Sequence, residues 1–267
     1  MARAYYIVQE APRRRLSQFG QLLWALVVRE FKGSYRRSLL GPAWAVLQPM
    51  FYMVIFVFIR RMLNVSSKGV NDVLDTYAVM VPWSFFANAI ARCGPSIYTN
   101  GGILKKVAMP REVFPAAGVA TSLIDLLISS VILVAMMVWY GVGVGWALLW
   151  LPVLVLLTAL LALGGGLIIA AVGTYKRDIV FGIPFLVQLW LLATPILYPL
   201  DRVPARLHSL YVLNPMVGVI EGFRNVLLYN AGPDVRLLGI SFLVIAAVWL
   251  VAWPLFRSAS QYFADVL

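Results

Sequence analysis

Arg92 and Asp125 are the two ionisable residues that fall inside long apolar stretches of this chain, and an intramembrane charge is costly unless it is paired or reached by water. They are able to pair across neighbouring helices, or either sits near an interface. A proton-coupled carrier would need a relay of acids and histidines, and the sequence has none, so a structural pair is the favoured reading. The rest of the chemical inventory is thin. One histidine, His208, and one cysteine, Cys93, leave no His/Cys metal set, no disulfide within one chain and no C-x-x-C pair. There is no G-x-x-x-x-G-K-[ST] loop to cradle a nucleotide, no G-x-S-x-G elbow and no H-E-x-x-H. Asp72, Asp75, Asp201, Glu221 and Asp234 form no catalytic motif.

Aromatic residues are the other candidate feature. Trp44, Phe51, Tyr52, Phe56 and Phe58 lie in one apolar stretch, and Trp190 and Tyr198 in another. At the ends of a span such residues form interfacial belts, and in its middle they fill core. Sugar rings also present apolar C–H faces that can slide along an aromatic wall; the residues alone favour core. Gly164-Gly165-Gly166 is followed by Leu167 and Ile168 rather than Lys-Ser, so its expected role is close helix packing.

The elements that must position these residues follow from composition. Of 267 residues, 62% are hydrophobic and 12% charged, with a mean hydropathy of +0.86. Soluble domains carry roughly 25% charged residues, so this is an all-α integral membrane chain, read as one transmembrane domain. Stretches near the ~20 residues needed to cross a bilayer are expected as spans at 38–59, 77–98, 113–140, 146–174, 179–200 and 237–256. Ahead of them, residues 13–34 carry apolar positions at helical spacing with basic ends, the pattern of a helix lying in the membrane interface. Its apolar run is broken by Gln18 and Gln21 and lacks a small-residue cleavage site, unlike a signal peptide. Residues 201–234 are moderately apolar and punctuated by Pro204, Pro215 and Pro233; they read as two short helices that dip into one leaflet without crossing it. The net charge of +11 divides unevenly. With the N-terminus inside, about twice as many basic residues fall inside as outside, which predicts cytoplasmic termini. These residues flank spans rather than forming a basic domain, which argues against nucleic-acid binding.

Four local strings then carry a resemblance. Residues 29–49 (REFKGSYRRSLLGPAWAVLQP), 103–115 (ILKKVAMPREVFP), 174–178 (TYKRD) leading to 188–195 (QLWLLATP), and 213–224 (LNPMVGVIEGFR) occur in this order across nearly the whole chain. They resemble the permease subunits of ATP-binding-cassette exporters for O-antigen, teichoic acid and capsule. The resemblance implies a homodimer of six-span subunits working with two copies of a separate nucleotide-binding ATPase in the bacterial cytoplasmic membrane. ATP and Mg would be bound by that partner and no cofactor by this chain. The cargo would be a polyprenyl-linked polysaccharide, O-antigen first, with teichoic acid and capsule open. Carried onto this sequence, it puts ATPase coupling at Lys105, Lys106, Arg111 and Glu112. It puts an external gate at Asn214, Pro215, Glu221 and Arg224, and a substrate path along Trp44, Phe51, Tyr52, Trp190 and Tyr198. The competing readings are an ATP-driven permease for drugs or small lipids and, ranked lower, a membrane-embedded enzyme acting on lipid-linked sugars.

Overall fold

The stretch from residue 71 to residue 113 shows how local chemistry sets helix boundaries. Asn71 caps α3 (Asp72–Cys93) by accepting a hydrogen bond from the Val73 amide at 2.9 Å. Gly94-Pro95 ends it, so this helix begins and finishes five residues ahead of the 77–98 expected from hydropathy. Two short helices, α4 (Ser96–Thr99) and α5 (Gly101–Leu104), then lead to α6 (Val113–Trp139).

A computed structural model describes residues 12–36, 38–65, 69–105, 109–198, 200 and 203–263, with side chains from residue 18 onward and excepting that of residue 205. Among these residues, α1 (Pro12–Tyr35) precedes α2 (Trp44–Met62), which opens on a tight 3-10 turn, Gly41–Ala43, with a proline at its start. After α6, a second 3-10 turn (Trp146–Trp150) runs into α7 (Leu151–Gly173), followed by α8 (Arg177–Leu192), α9 (Ala205–Val212), α10 (Pro215–Leu228) and α11 (Val235–Ser260). Asn214 caps α10 through the Met216 amide at 3.0 Å, and Asp234 caps α11 through the Arg236 amide at 2.8 Å.

Four helical segments among the described residues are both long and apolar enough to cross a membrane: Gly41–Met62, Val113–Trp139, Trp146–Gly173 and Val235–Ser260. The other two expected spans differ for physical reasons. The α3 helix is long enough but carries Asp72, Asp75 and Arg92. The α8 helix has 16 residues, about 24 Å at 1.5 Å each, because the chain turns at Thr194-Pro195.

The bundle is built around α3, which packs against α2, α6, α7, α8 and α10, and every residue from Leu74 to Phe86 is buried. The α7 helix lies between α3 and α11. Its glycines permit this: a Cβ at Gly166 would lie 2.4 Å from that of Cys93 on α3, and one at Gly164 would lie 3.1 Å from Val248 on α11. The glycine run thus faces two neighbours at once.

A second apolar cluster sits where α3 ends. There Leu26 and Val27 of α1 meet Ile97, Leu104, Val113 and Phe114, with Ala170 of α7 and Phe256 of α11 behind them. The helix read as interfacial therefore lies against one end of the bundle, with Trp24 on its open face.

Candidate functional site

Charges gather at both ends of α3. At its start, the Asp75 carboxylate accepts from Arg60 Nη1 at 2.7 Å and from Arg224 Nε at 2.9 Å, tying α2, α3 and α10 to one acid. Arg60 also donates to Thr76 Oγ1 at 3.2 Å and lies 3.6 Å from Asp72. Arg224 donates to Glu221 and, through Nη2, to the Pro195 carbonyl at 2.9 Å. The side chains of Arg60, Asp75 and Arg224 are 2%, 3% and 7% exposed, so this cluster is almost dry. Burial works against the Arg224 guanidinium, but Asp75 and Glu221 together outweigh it and hold its pKa above the ordinary value. Asp72, Asp75 and Glu221 are therefore engaged in ion pairs, and Asp234 in a helix cap. Asp201 lies outside the described residues.

Asn214 adds a second tie on the same side. Its Nδ2 donates to the Ala193 carbonyl at 2.9 Å and to Thr194 Oγ1 at 3.2 Å, while its Oδ1 accepts from the Trp190 indole at 2.9 Å. Pro215 follows as the first residue of α10. This short helix is deeply buried, and at Gly218 an added Cβ would come within 2.4 Å of Ser241 Oγ on α11. The α9 helix remains exposed.

At the far end of α3, Arg92 Nη2 donates to Asp125 Oδ2 at 2.7 Å, and Tyr35 at the end of α1 donates its hydroxyl to Asp125 Oδ1 at 2.8 Å. Arg92 also reaches Ser34 at 3.1 Å. The pair thus ties α1 to the bundle. Burial, followed by the Asp125 contact, pushes the Tyr35 phenol up to about 12. Beside the pair, Arg29, Glu30, Arg92, Ser96, Thr99 and Asn100 line a cleft of about 340 Å³, with Arg29 donating to Asn100. Burial raises the Glu30 carboxyl against the pull of Arg92 and Arg29. Two arginines balanced by Glu30 and Asp125 leave this cleft close to neutral.

The other expected residues are spread out. Lys105 is exposed just past α5, Arg111 and Glu112 are half-buried at the start of α6, and Lys106 lies outside the described residues. Trp44 and Phe51 are exposed on α2. Trp190 stands edge-on to Phe86 at 5.0 Å. Tyr198 donates to the Leu192 carbonyl and accepts from Tyr211. Tyr52 faces a notch of about 220 Å³ between α2, α3 and α8, where its hydroxyl donates to Gln188 Oε1 at 3.2 Å. Among the described residues, no two of these five aromatics are in ring contact with each other. Among the described residues, no group of three His, Cys, Asp or Glu side chains is arranged to hold a metal ion.

Sequence reasoning placed Arg224 in the expected external gate, assigned Arg60 no role and missed the cluster at Asp75. The available signals were an arginine ending an apolar run and the i,i+3 pair of Glu221 and Arg224. The family profile described as ABC-2 type transporter matches residues 21–228. The chain belongs to this membrane family. It is a multi-pass membrane protein, and its matched segment contains both charged clusters and the notch. It is 28% identical over 255 residues to the O-antigen export system permease protein RfbA of Myxococcus xanthus, covering 94% of this chain and 97% of that one. A protein of the same name from Klebsiella pneumoniae is 23% identical, covering 92% and 95% of the two chains. The polysialic acid transport protein KpsM of Escherichia coli is 24% identical, covering 74% and 77%.

Proposed function

We propose that this ABC-2 chain is the transmembrane subunit of an exporter that moves polyprenyl-linked polysaccharide, O-antigen foremost, across the bacterial cytoplasmic membrane. The observation that carries the proposal is likeness across almost the full length of both chains to a permease named for O-antigen export. Energy comes from a separate ATPase subunit, since the sequence has no nucleotide-binding loop of its own. Two copies of the permease assemble with two copies of that ATPase, and each has six spans with cytoplasmic termini. Two of those spans are α3, whose charges are paired, and α8 with the turn that follows it.

In this reading α1 lies in the inner interface. The segment around α5, with Lys105, Lys106, Arg111 and Glu112, meets the ATPase. The α9–α10 pair forms a re-entrant external gate, held by Asn214 to the end of α8 and by Arg224 to Asp75. The buried helix α10 is tolerated at that depth because protein satisfies its polar groups. The path runs along α2 and α8, past Trp44, Phe51, Tyr52, Trp190 and Tyr198.

Reconstitution with the ATPase subunit that co-purifies with the chain tests the proposal. ATP hydrolysis in proteoliposomes should rise on adding polyprenyl-linked polysaccharide from the producing cells, and charge reversal at Lys105 and Lys106 should lower that stimulation. Stimulation by amphiphilic drugs or small lipids, with none by the polysaccharide, would overturn it.

A further inference from the structure

The geometry points to a sugar-binding notch between α2, α3 and α8, where Gln48, Ser84, Asn88 and Gln188 hydrogen-bond glycan hydroxyls while Tyr52 and Trp83 face the ring. The inference rests on the reading that the chain carries a glycan, and it assigns contacts that the aromatic path alone does not supply.

Three observations support it. Gln188 is exposed in the part of α8 beyond its charged first turn, where the other open side chains, among them Phe181, Phe185, Leu186, Leu189 and Leu192, are apolar. A carboxamide in that setting is costly against hydrocarbon, so this position faces water or a polar ligand. Gln48 and Asn88 have no side-chain hydrogen bond to protein among the described residues, although both line the notch. Gln188 accepts from the Tyr52 hydroxyl, which leaves its amide nitrogen to donate inward. The open groups are carboxamides, which both donate and accept, as sugar hydroxyls do.

The second point is charge. No Lys, Arg, Asp or Glu lines the notch. Neutral hydrogen bonds each contribute little net free energy, and a conduit needs contacts weak enough to release what they admit. The charged clusters at the two ends of α3 would instead hold a ligand tightly or exclude it. The third point is size. About 220 Å³ falls below the roughly 300–1,000 Å³ of pockets that enclose a whole small molecule, and suits one ring at a time.

The test uses the full-length protein in its own cells. A strain lacking the gene is complemented with wild type, with Gln48→Leu, Asn88→Leu and Gln188→Leu singly and together, and with the conservative Gln188→Asn. Surface polymer, internal polyprenyl-linked polymer and the amount of permease in the membrane are measured. In parallel, Gln188→Cys and Phe185→Cys are treated with a charged, water-soluble thiol reagent, against a background in which native Cys93 is buried. At equal abundance each Leu substitution should lower surface polymer roughly three- to tenfold, with build-up inside, and Gln188→Asn should restore much of it. Cysteine at 188 should react and cysteine at 185 should not. Wild-type export by abundant Leu variants, or a cysteine at 188 as inert as that at 185, overturns the notch and makes it a packing surface. If the triple variant does not reach the membrane, the single variants and the labelling decide. Loss of export on deleting the gene, restored by wild type, is read separately: its absence sinks the export reading rather than the notch.

Discussion

The two ends of α3 use similar ion pairs for different tasks. At the Asp75 end, one carboxylate bridges two arginines from distant parts of the chain, with every partner almost dry. At the Arg92 end, one arginine and one tyrosine share Asp125, the arginine side chain is 18% exposed, and an open cleft lies alongside. A dry junction that loses a partner strands a buried charge, whereas a junction beside a cleft can be rescued by water. The first therefore acts as a clamp holding α10 to α2 and α3. The second acts as a tether between α1 and the bundle.

Substitution separates the two. Asp75→Ala has the largest expected effect, because it leaves Arg60 and Arg224 without their shared carboxylate; a loss of roughly 3–5 kcal/mol should appear as a fall in thermal stability in detergent or nanodiscs. Equal tolerance of Asp75→Ala and Asp125→Ala would break the comparison. Asp125→Ala should cost about 2 kcal/mol and should selectively raise amide hydrogen exchange in α1. Tyr35→Phe, which removes one hydrogen bond and keeps the ring, should cost about 0.5–1 kcal/mol and affect α1 alone.

The smallest effect is expected at Glu30, and it depends on pH. Its carboxyl titrates above the ordinary value because it is partly buried, so the folded protein holds that proton to higher pH than the unfolded chain does. The stability this contributes is present at low pH and is lost as pH rises through the raised pKa. Glu30→Gln should flatten the thermal-stability profile from pH 4.5 upward, while leaving the Asp75 end unchanged. A profile as steep as wild type would assign the slope to other groups.

Much of this architecture was legible in the sequence because the signal was local. The runs that become α6, α7 and α11 are long and apolar enough to declare themselves, and Gly164 to Gly166 announced close packing that the structure puts against α3 and α11. The ends of α3 and α8 were less legible. Hydropathy averages over a window, while helix ends are decided by single groups such as the Asn71 cap and Gly94-Pro95. The clamp was hidden for another reason: Asp75 meets one arginine 15 residues away and another 149 away, and no periodicity connects them. The polar notch was invisible because it depends on the rotation of three helices, which brings Gln48, Asn88 and Gln188 together from separate elements.

Deleting the gene and following both surface polysaccharide and intracellular polyprenyl-linked polymer tests the central claim most directly. The account predicts loss of the surface polymer and build-up of the lipid-linked chain inside, both reversed by the wild-type gene. Normal surface polysaccharide with no build-up inside would contradict it.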